Sequence, residues 1–364
     1  MRRLLVYVTS AIVGWAAVSL AAQPARGFLS KPSPDAIRVL TWNVYRNSIM
    51  QSGNEAAGDV SRTARFARVL KALQPDVVCL QEITAGARRT VALVDRILPL
   101  EKGSRWQGHG AGDTVIVSRF PIGERSGGRV EAGSRRRGHA IALIDSPIAA
   151  LYMICAHFQS SDDPEDAAMR HRQAQLVIST IREARAGRGP VPLRSRTPFI
   201  ILGDFNAIPG GATFVDAMVS ASASPALPAE GGNGLDWDGS ALTDAGPHHN
   251  VSRPEVYTWR NDREPFPPGA LDRILYSDSV LTSVNQFVLD TTMMSEAELA
   301  ESGLRAPVLI SEFVAETTHG EKVARILRVI FKLLPEQADV NVDGARRFSS
   351  GRVRRDGRCV CGGR

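Results

Sequence analysis

Apolar runs with two different periods alternate along the chain. Ile37–Val44 is rich in strand-forming residues and reads as a first strand. Val60–Leu73 follows with apolar positions at Val60, Phe66, Val69, Leu70 and Leu73, the spacing of a helix face. Pro75 stops it, and Asp76–Leu80 is a continuous apolar run of the kind that forms a strand buried on both faces. Val91–Leu98 reads as a helix, and Asp113–Ser118, His139–Ile144 and Leu151–His157 as strands. Asp163-Pro164-Glu165 has the chemistry of a helix start, with an acidic N-cap, proline in the first turn and acids after it. That helix is expected to reach about Ala184. Pro198–Leu202, Tyr257–Trp259, Asp272–Tyr276 and Val280–Leu289 are further expected strands, and Glu321–Leu334 has helical spacing. Ser220–Asn250, rich in Ser, Ala, Pro and Gly, reads as a long surface loop. Strands dominate and helices are interleaved, which points to sheet packed on sheet with helices outside.

The first residues stand apart from this pattern. Arg2 and Arg3 precede an apolar run from Leu4 to Leu20, followed by Ala21, Ala22, Gln23 and Pro24. Basic head, apolar stretch and small-residue site form the order of a secretory signal over residues 1–25. The run is at the short end for an uncleaved membrane span. Export to the periplasm or medium is therefore expected, with no stable membrane association after cleavage.

Charge changes the picture less than its total suggests. The net charge is +6, but seven arginines beyond Ala345, against Asp356 alone, account for all of it. The rest of the chain is neutral, which gives no support for a broad nucleic-acid-binding face. Cys79 and Cys155 lie in apolar runs and read as buried thiols, able to pair only if their strands are neighbours. Cys359 and Cys361 lie in a tail without core residues.

Five strands carry polar residues at one end. Asn43 closes the first, Gln81-Glu82 the second and His157 another; Gly203-Asp204-Phe205-Asn206 follows an apolar strand, and Leu271-Asp272-Arg273-Ile274 opens a later one. One such ending usually means only a strand reaching solvent; five in this order ask for a shared purpose. The ordered set resembles the motifs of the endonuclease/exonuclease/phosphatase superfamily, and Thr114–Ile122 resembles that family's strand and turn between its second and third motifs. The helix bearing Arg170 and Gln173 is similar to the one after its histidine motif. The resemblance runs from about Ile37 to Leu289.

What it implies is an α/β fold, a two-sheet β-sandwich flanked by helices in the four-layer, deoxyribonuclease-like arrangement, over residues 36–315. The implied chemistry is hydrolysis of phosphate mono- or diesters with Mg²⁺, or with Mn²⁺ or Ca²⁺ in its place. A hard cation offsets the charge that develops on phosphate oxygens, and one or two carboxylates suffice to hold it. Glu82 is the implied metal ligand, with Asn43 beside it holding metal or phosphate. Asp204 is implied to orient or deprotonate the attacking water, and Asn206 to donate its amide to a phosphate oxygen. His157 is implied to contact phosphate or protonate the leaving oxygen. Asp272 is implied to hydrogen-bond a catalytic imidazole, either His157 or a second, C-terminal histidine. Arg135, Arg136 and Arg137 are candidate phosphate contacts. The substrate is a phosphate ester of a nucleic acid, a phospholipid head group or a small molecule, and the protein is expected to be a monomer.

One part of the pattern is missing. The family closes with Ser-Asp-His shortly before a Pro-Val strand, and Pro307–Phe313 looks like that strand without the Asp-His pair ahead of it. His319 is the only histidine beyond Asp272, and an extended chain carries it roughly 40 Å past Pro307. Impaired turnover is the expectation, and the alternative is an inactive domain that binds a phosphorylated ligand. Residues 316–364 read as a C-terminal extension in which Asp339–Gly344 resembles the first half of a degraded calcium loop.

Overall fold

The computed structural model describes residues 27–50, 60–101, 103–129, 137–208, 213–220, 234–260, 267–305 and 326–333. The secretory segment, Arg135, Arg136, Pro307–Phe313, His319, the calcium-loop-like segment and the last two cysteines lie outside these residues.

Two six-stranded sheets face each other. The first runs β11 (Leu281–Val288), β12 (Ile326–Leu333), β1 (Ile37–Asn43), β2 (Val77–Gln81), β4 (Thr114–Ser118), β3 (Gln107–Ala111). The second runs β5 (Ile122–Arg129), β6 (Gly138–Asp145), β7 (Ala150–His157), β8 (Phe199–Asp204), β10 (Asp272–Tyr276), β9 (Thr243–Asp244). One apolar cluster lies between the sheets, with Val39, Val77, Ile116, Met153, Leu202 and Ile274 among its members. A second covers the outer face of the first sheet under α1 (Val60–Leu73) and α2 (Ala87–Ile97). A third covers the outer face of the second sheet under α3 (Pro164–Arg185) and α4 (Thr213–Ser220). Strands buried on both faces explain why β2, β4 and β8 read as unbroken apolar runs.

Three expectations are corrected. Residues 326–333 form a strand of the first sheet, between β1 and β11, where helical spacing and a C-terminal extension were expected. Short apolar runs suit either period, and pairing on both sides decides for the strand. The place between β1 and β11, where Pro307–Phe313 had been expected to close the sheet, is taken by β12. The supposed surface loop carries β9 and buries Leu235, Asp236, Leu242, Ala245 and His249 from residue 234 onward. Its sparse apolar anchors are hidden by small-residue composition. Tyr257–Trp259 gives only an isolated bridge, Trp259 to Gly269. The glycine-rich β3 had no apolar signal to find. A Cβ at Gly108 would lie 2.5 Å from Val91 Cγ2, so the missing side chain is what lets α2 pack there.

Cys79 on β2 and Cys155 on β7 form a disulfide across the gap between the sheets, with Cα atoms 5.6 Å apart. Their strands are not neighbours within either sheet; they meet face to face. The bond closes 76 residues of sequence separation and restricts the unfolded chain accordingly. Replacing both cysteines by alanine should lower stability by about 2–4 kcal/mol in urea unfolding. Peptide mapping without reductant should recover Cys79 linked to Cys155; two free thiols would contradict the pairing.

A buried ion pair fixes the chain beyond β9. His249 Nδ1 lies 3.1 Å from Asp290 Oδ2, and its Nε2 lies 2.6 Å from the Tyr257 carbonyl oxygen. Both partners only accept, so both ring nitrogens donate and the ring is an imidazolium. Burial by itself would push His249 down, but Asp290 and the Tyr257 carbonyl outweigh it and raise its pKa. Burial would likewise raise Asp290, but hydrogen bonds from His249 and Thr292 hold it below the usual carboxylate range. His249 thus contributes stability below its unfolded pKa of about 6.5, and that contribution is lost as pH rises through the elevated folded value. Asp290 contributes above about 3.9 and loses its share as pH falls through the depressed value. Melting temperature should therefore fall on the alkaline side, and His249→Gln should flatten that slope while lowering stability at pH 6. An alkaline slope identical in the variant would place its origin elsewhere.

Candidate active site

Strand register brings the chemistry together. On the second sheet, β7 pairs β8 with His157 opposite Asp204, and β10 pairs β8 with Asp272 opposite Asp204. His157, Asp204 and Asp272 therefore form one row across three adjacent strands, all almost fully buried. On the first sheet, Asn43 ends β1 opposite Gln81, and Glu82 follows directly. The two rows meet at one mouth of the sandwich. Asn43 Nδ2 donates to Glu82 Oε1 at 2.9 Å and to Asp204 Oδ2 at 2.8 Å.

The amide is thus a bridge between two carboxylates from different sheets. Its own oxygen accepts from Tyr45 N at 3.0 Å. Asn43 stands at the expected place, but it presents its N–H groups to the carboxylates and commits its oxygen to the backbone. In this arrangement the amide orients the two carboxylates. Glu82 Oε2 accepts from Arg46 N at 3.0 Å.

The backbone around these groups is strained. Tyr45, Arg46, Asn47, Glu82 and Asn206 all have positive φ, between 48° and 61°. A left-handed non-glycine residue costs about 1–2 kcal/mol. Local hydrogen bonds offset that cost: Asn47 N donates to Glu82 O, and Asn47 Oδ1 accepts from Thr84 N and Ala85 N. The glycine of Gly203-Asp204-Phe205-Asn206 has φ 146°, and a Cβ there would sit 1.9 Å from the Ala156 carbonyl oxygen. Only glycine lets β8 lie this close to β7 just before its catalytic end.

Asp204 Oδ1 accepts from Asn206 N at 3.0 Å, closing an Asx turn. The turn occupies one carboxylate oxygen and leaves Oδ2 directed at Asn43. Asn206 Nδ2 donates to the Phe158 carbonyl at 3.0 Å, so that amide is anchored on the neighbouring strand's exit. An amide nitrogen carries a second hydrogen for a phosphate oxygen.

His157 Nδ1 lies 2.8 Å from Asp113 Oδ2 and 2.7 Å from Arg137 Nη1. Nδ1 thus faces a carboxylate, which only accepts, and a guanidinium, which only donates, and the two contacts ask for opposite tautomers. Arg137 Nη2 donates to Ser160 Oγ at 2.9 Å. Among the described residues the buried Nε2 has no hydrogen-bond partner, and it lies 3.8 Å from Asp204 Oδ2. It is left to act on whatever enters the mouth. The carboxylate at His157 Nδ1 is Asp113, where Asp272 had been one expectation. Asp272 Oδ2 accepts from Thr258 Oγ1 at 2.6 Å. Thr258 follows Tyr257, whose carbonyl is held by His249, so the buried ion pair supports Asp272 indirectly.

Sequence reasoning did not find Asp113, Thr258 or the Asp290–His249 pair. The only signal for Asp113 was an acid placed directly before an apolar strand. Behind His157, Gln173 Oε1 accepts from Gln159 N, and the buried Arg170 donates to the Gln159 and Ser161 carbonyls, so α3 holds the exit of β7.

The donor set suits a hard cation. Two carboxylates converge on one amide with no described basic side chain between them, and Mg²⁺ asks for only one or two carboxylates plus water and substrate oxygens. Among the described residues there is no cluster of three or more His, Cys, Asp or Glu around one point.

Comparison with known proteins bears on the fold and the family. No curated protein matches the chain in sequence. The human nocturnin catalytic domain, solved with a bound sulfate, is 17% identical, with a TM-score of 0.50 over 82% of this chain and 95% of its own. Zebrafish (D. rerio) TDP2, solved with a single-strand DNA product, is also 17% identical, with a TM-score of 0.50 over 82% of this chain and 99% of its own. At that identity the likeness concerns the fold, which is the deoxyribonuclease-like sandwich expected from the sequence. Residues 40–293 match the model of the Endonuclease/Exonuclease/phosphatase family, and the chain belongs to that family.

Proposed function

We propose that the protein hydrolyses phosphate mono- or diesters with a divalent cation, Mg²⁺ by preference. The observation that carries this reading is the meeting of Glu82 and Asp204 on the Asn43 amide, with the unpartnered His157 Nε2 3.8 Å from Asp204. The family's enzymes typically use such a metal. When bound, it neutralises charge on the phosphate oxygens. Glu82 holds it, and Asn43 keeps Glu82 and Asp204 in place. Asp204 Oδ2 orients the attacking water and accepts its proton. The free N–H of Asn206 steadies a phosphate oxygen. His157 brings Nε2 toward the phosphate, where a proton on Nε2 lets it donate, while Asp113 and Arg137 hold the ring at Nδ1 and Arg137 adds positive charge beside it.

The buried disulfide supports an exported protein, since such bonds persist in oxidising compartments. The apolar segment at residues 4–20 supports the same reading.

A second reading, a domain that binds a phosphorylated ligand with little turnover, follows from the missing Asp-His pair before Pro307. Its premise was that Pro307–Phe313 is the closing strand. β12 has that place, and Ile326 enters the sheet opposite Trp42, next to Asn43 at the mouth. Ile326 is seven positions after His319, a reach of about 23 Å in an extended chain. Chain length therefore does not exclude His319 from serving the site, although Thr318 stands before it where the family's pair has an aspartate.

Glu82→Gln should abolish Mg²⁺-dependent hydrolysis of bis(p-nitrophenyl) phosphate with little change in melting temperature. Full activity at saturating Mg²⁺ would remove Glu82 from the metal's surroundings. His319→Ala separates the two readings. A drop of about 10²-fold or more marks His319 as the acid–base group. Wild-type protein that binds Mg²⁺ and phosphate without turnover would establish the binding domain instead.

A further inference from the structure

The buried imidazolium of His249 lies on a short path to the catalytic row. Its Nε2 donates to the Tyr257 carbonyl at 2.6 Å. In the next residue, the Thr258 hydroxyl donates to Asp272 Oδ2 at 2.6 Å and accepts from Asp272 N at 3.0 Å. These two contacts fix the Asp272 side chain against its own backbone. Asp272 stands opposite Asp204 in the register of β10 and β8, so its orientation bears on the row that holds Asp204 and His157. The C=O and N–H of a trans peptide point in opposite directions. The peptide joining Tyr257 to Thr258 is accordingly held at both ends, its C=O by His249 and its N–H by the Gly269 carbonyl at 3.0 Å.

His249 can serve both of its own contacts only while it carries two protons. Asp290 Oδ2, 3.1 Å from Nδ1, and the Tyr257 carbonyl both only accept. A neutral ring has a single N–H. The carboxylate is the stronger acceptor, because its hydrogen bond is charge-assisted, so the remaining proton stays on Nδ1. Nε2 then turns a lone pair toward the Tyr257 oxygen, and a contact of 2.6 Å must open. Movement of that carbonyl tilts the peptide it shares with Thr258 and draws the hydroxyl away from Asp272.

The surroundings of the ring set the pH at which this happens. Its charged neighbours are Asp290, from the segment after β11, and Glu255, from its own loop, and both act to raise its pKa against burial. The Tyr257 ring packs edge-on against it, with centroids 4.4 Å apart. Among the described residues, Glu255 Oε2 is buried without a hydrogen-bond partner. Glu255 therefore acts on the ring through its charge, while its backbone carbonyl accepts from His249 N. Asn250 and Asp290 exchange two hydrogen bonds and close the other side.

We propose that His249 is a positioning residue for the phosphoesterase: as an imidazolium it fixes the Tyr257–Thr258 peptide so that Thr258 orients Asp272, and turnover is lost as the ring deprotonates. The inference rests on the phosphoesterase reading of the mouth. Its test follows kcat for bis(p-nitrophenyl) phosphate at saturating Mg²⁺, below the melting temperature, from about pH 6 to 9.5. Histidine-labelled samples report the His249 titration by NMR, and the signal missing from His249→Gln assigns it. In the wild type kcat should fall about ten-fold or more over the pH range in which His249 titrates, the scale of a small misplacement of catalytic groups, with KM little changed. Glu255→Gln removes a negative charge and leaves the hydrogen bonds of the ring in place. It should move the titration and the fall in kcat together to lower pH, which a merely structural role would not do. His249→Gln keeps at most one of the two donations, so its kcat should be low at every pH and show no such fall. If that variant does not fold, the Glu255→Gln comparison decides alone, with the His249 signal taken as the one it shifts. A wild-type kcat that stays level across the His249 titration would overturn the proposal. So would a fall in kcat that stays in place when Glu255→Gln shifts the His249 signal. Wild-type protein without turnover at any pH would instead overturn the phosphoesterase reading, and this role with it.

Discussion

The double donation by Asn43 is the contact on which the rest of the site depends. Glu82 follows β2 of one sheet and Asp204 ends β8 of the other, so no backbone hydrogen bond links them. Two carboxylates left to themselves would turn apart. One amide with two N–H groups holds both, at 2.9 and 2.8 Å, and couples the ends of the two sheets. Asparagine is suited to this because it gives two donors and adds no charge, which leaves the negative field available for a cation. An aspartate at position 43 would supply neither donor and would add a third repelling group.

A bridge of this kind needs sheets that keep their spacing. The apolar cluster between them sets that distance, and the Cys79–Cys155 bond spans it two residues before Gln81 on one side and two before His157 on the other. Gln81 Nε2 reaches the Cys79 sulfur at 2.9 Å, so polar contacts continue from the disulfide toward the mouth. The strained loop after Asn43 uses the same support. Its three left-handed residues are tolerable because their amides meet Asn43 Oδ1, Glu82 and the Glu82 carbonyl. The strain is located where three donors must be aimed at once.

Much of this arrangement was legible in the sequence. β1, β2, β4, β7, β8 and β10 are short, apolar and bounded by breakers, and α1 and α3 carry clear periodicity or start signals. The polar ends of β1, β2, β7, β8 and β10 were equally visible. What was not legible depended on contacts distant in sequence. β3 has glycines where α2 presses on it, and so no apolar signature. β12 has an apolar spacing that suits a helix, and only its partners β1 and β11 make it a strand. Asp113 is 44 residues from His157, and Asp290 is 41 from His249. Each is a lone acid in the sequence and acquires a role only when the chain folds back.

The position of β12 also changes how the C-terminal half is read. A closing strand that begins beside Trp42 delivers the preceding chain to the catalytic mouth, whatever residues that chain contains. The Asp-His pair is absent from the sequence on either reading, since Thr318 precedes His319; what β12 changes is the distance along the chain from that histidine to the sheet. Spacing along the sequence is a weak guide here, because insertions in a connection cost little loop-closure entropy and leave the sheet intact. Register is the stronger guide. The pairing of Trp42 with Ile326 fixes where the chain arrives, and chemistry at the mouth must be sought backwards from that point rather than from Pro307.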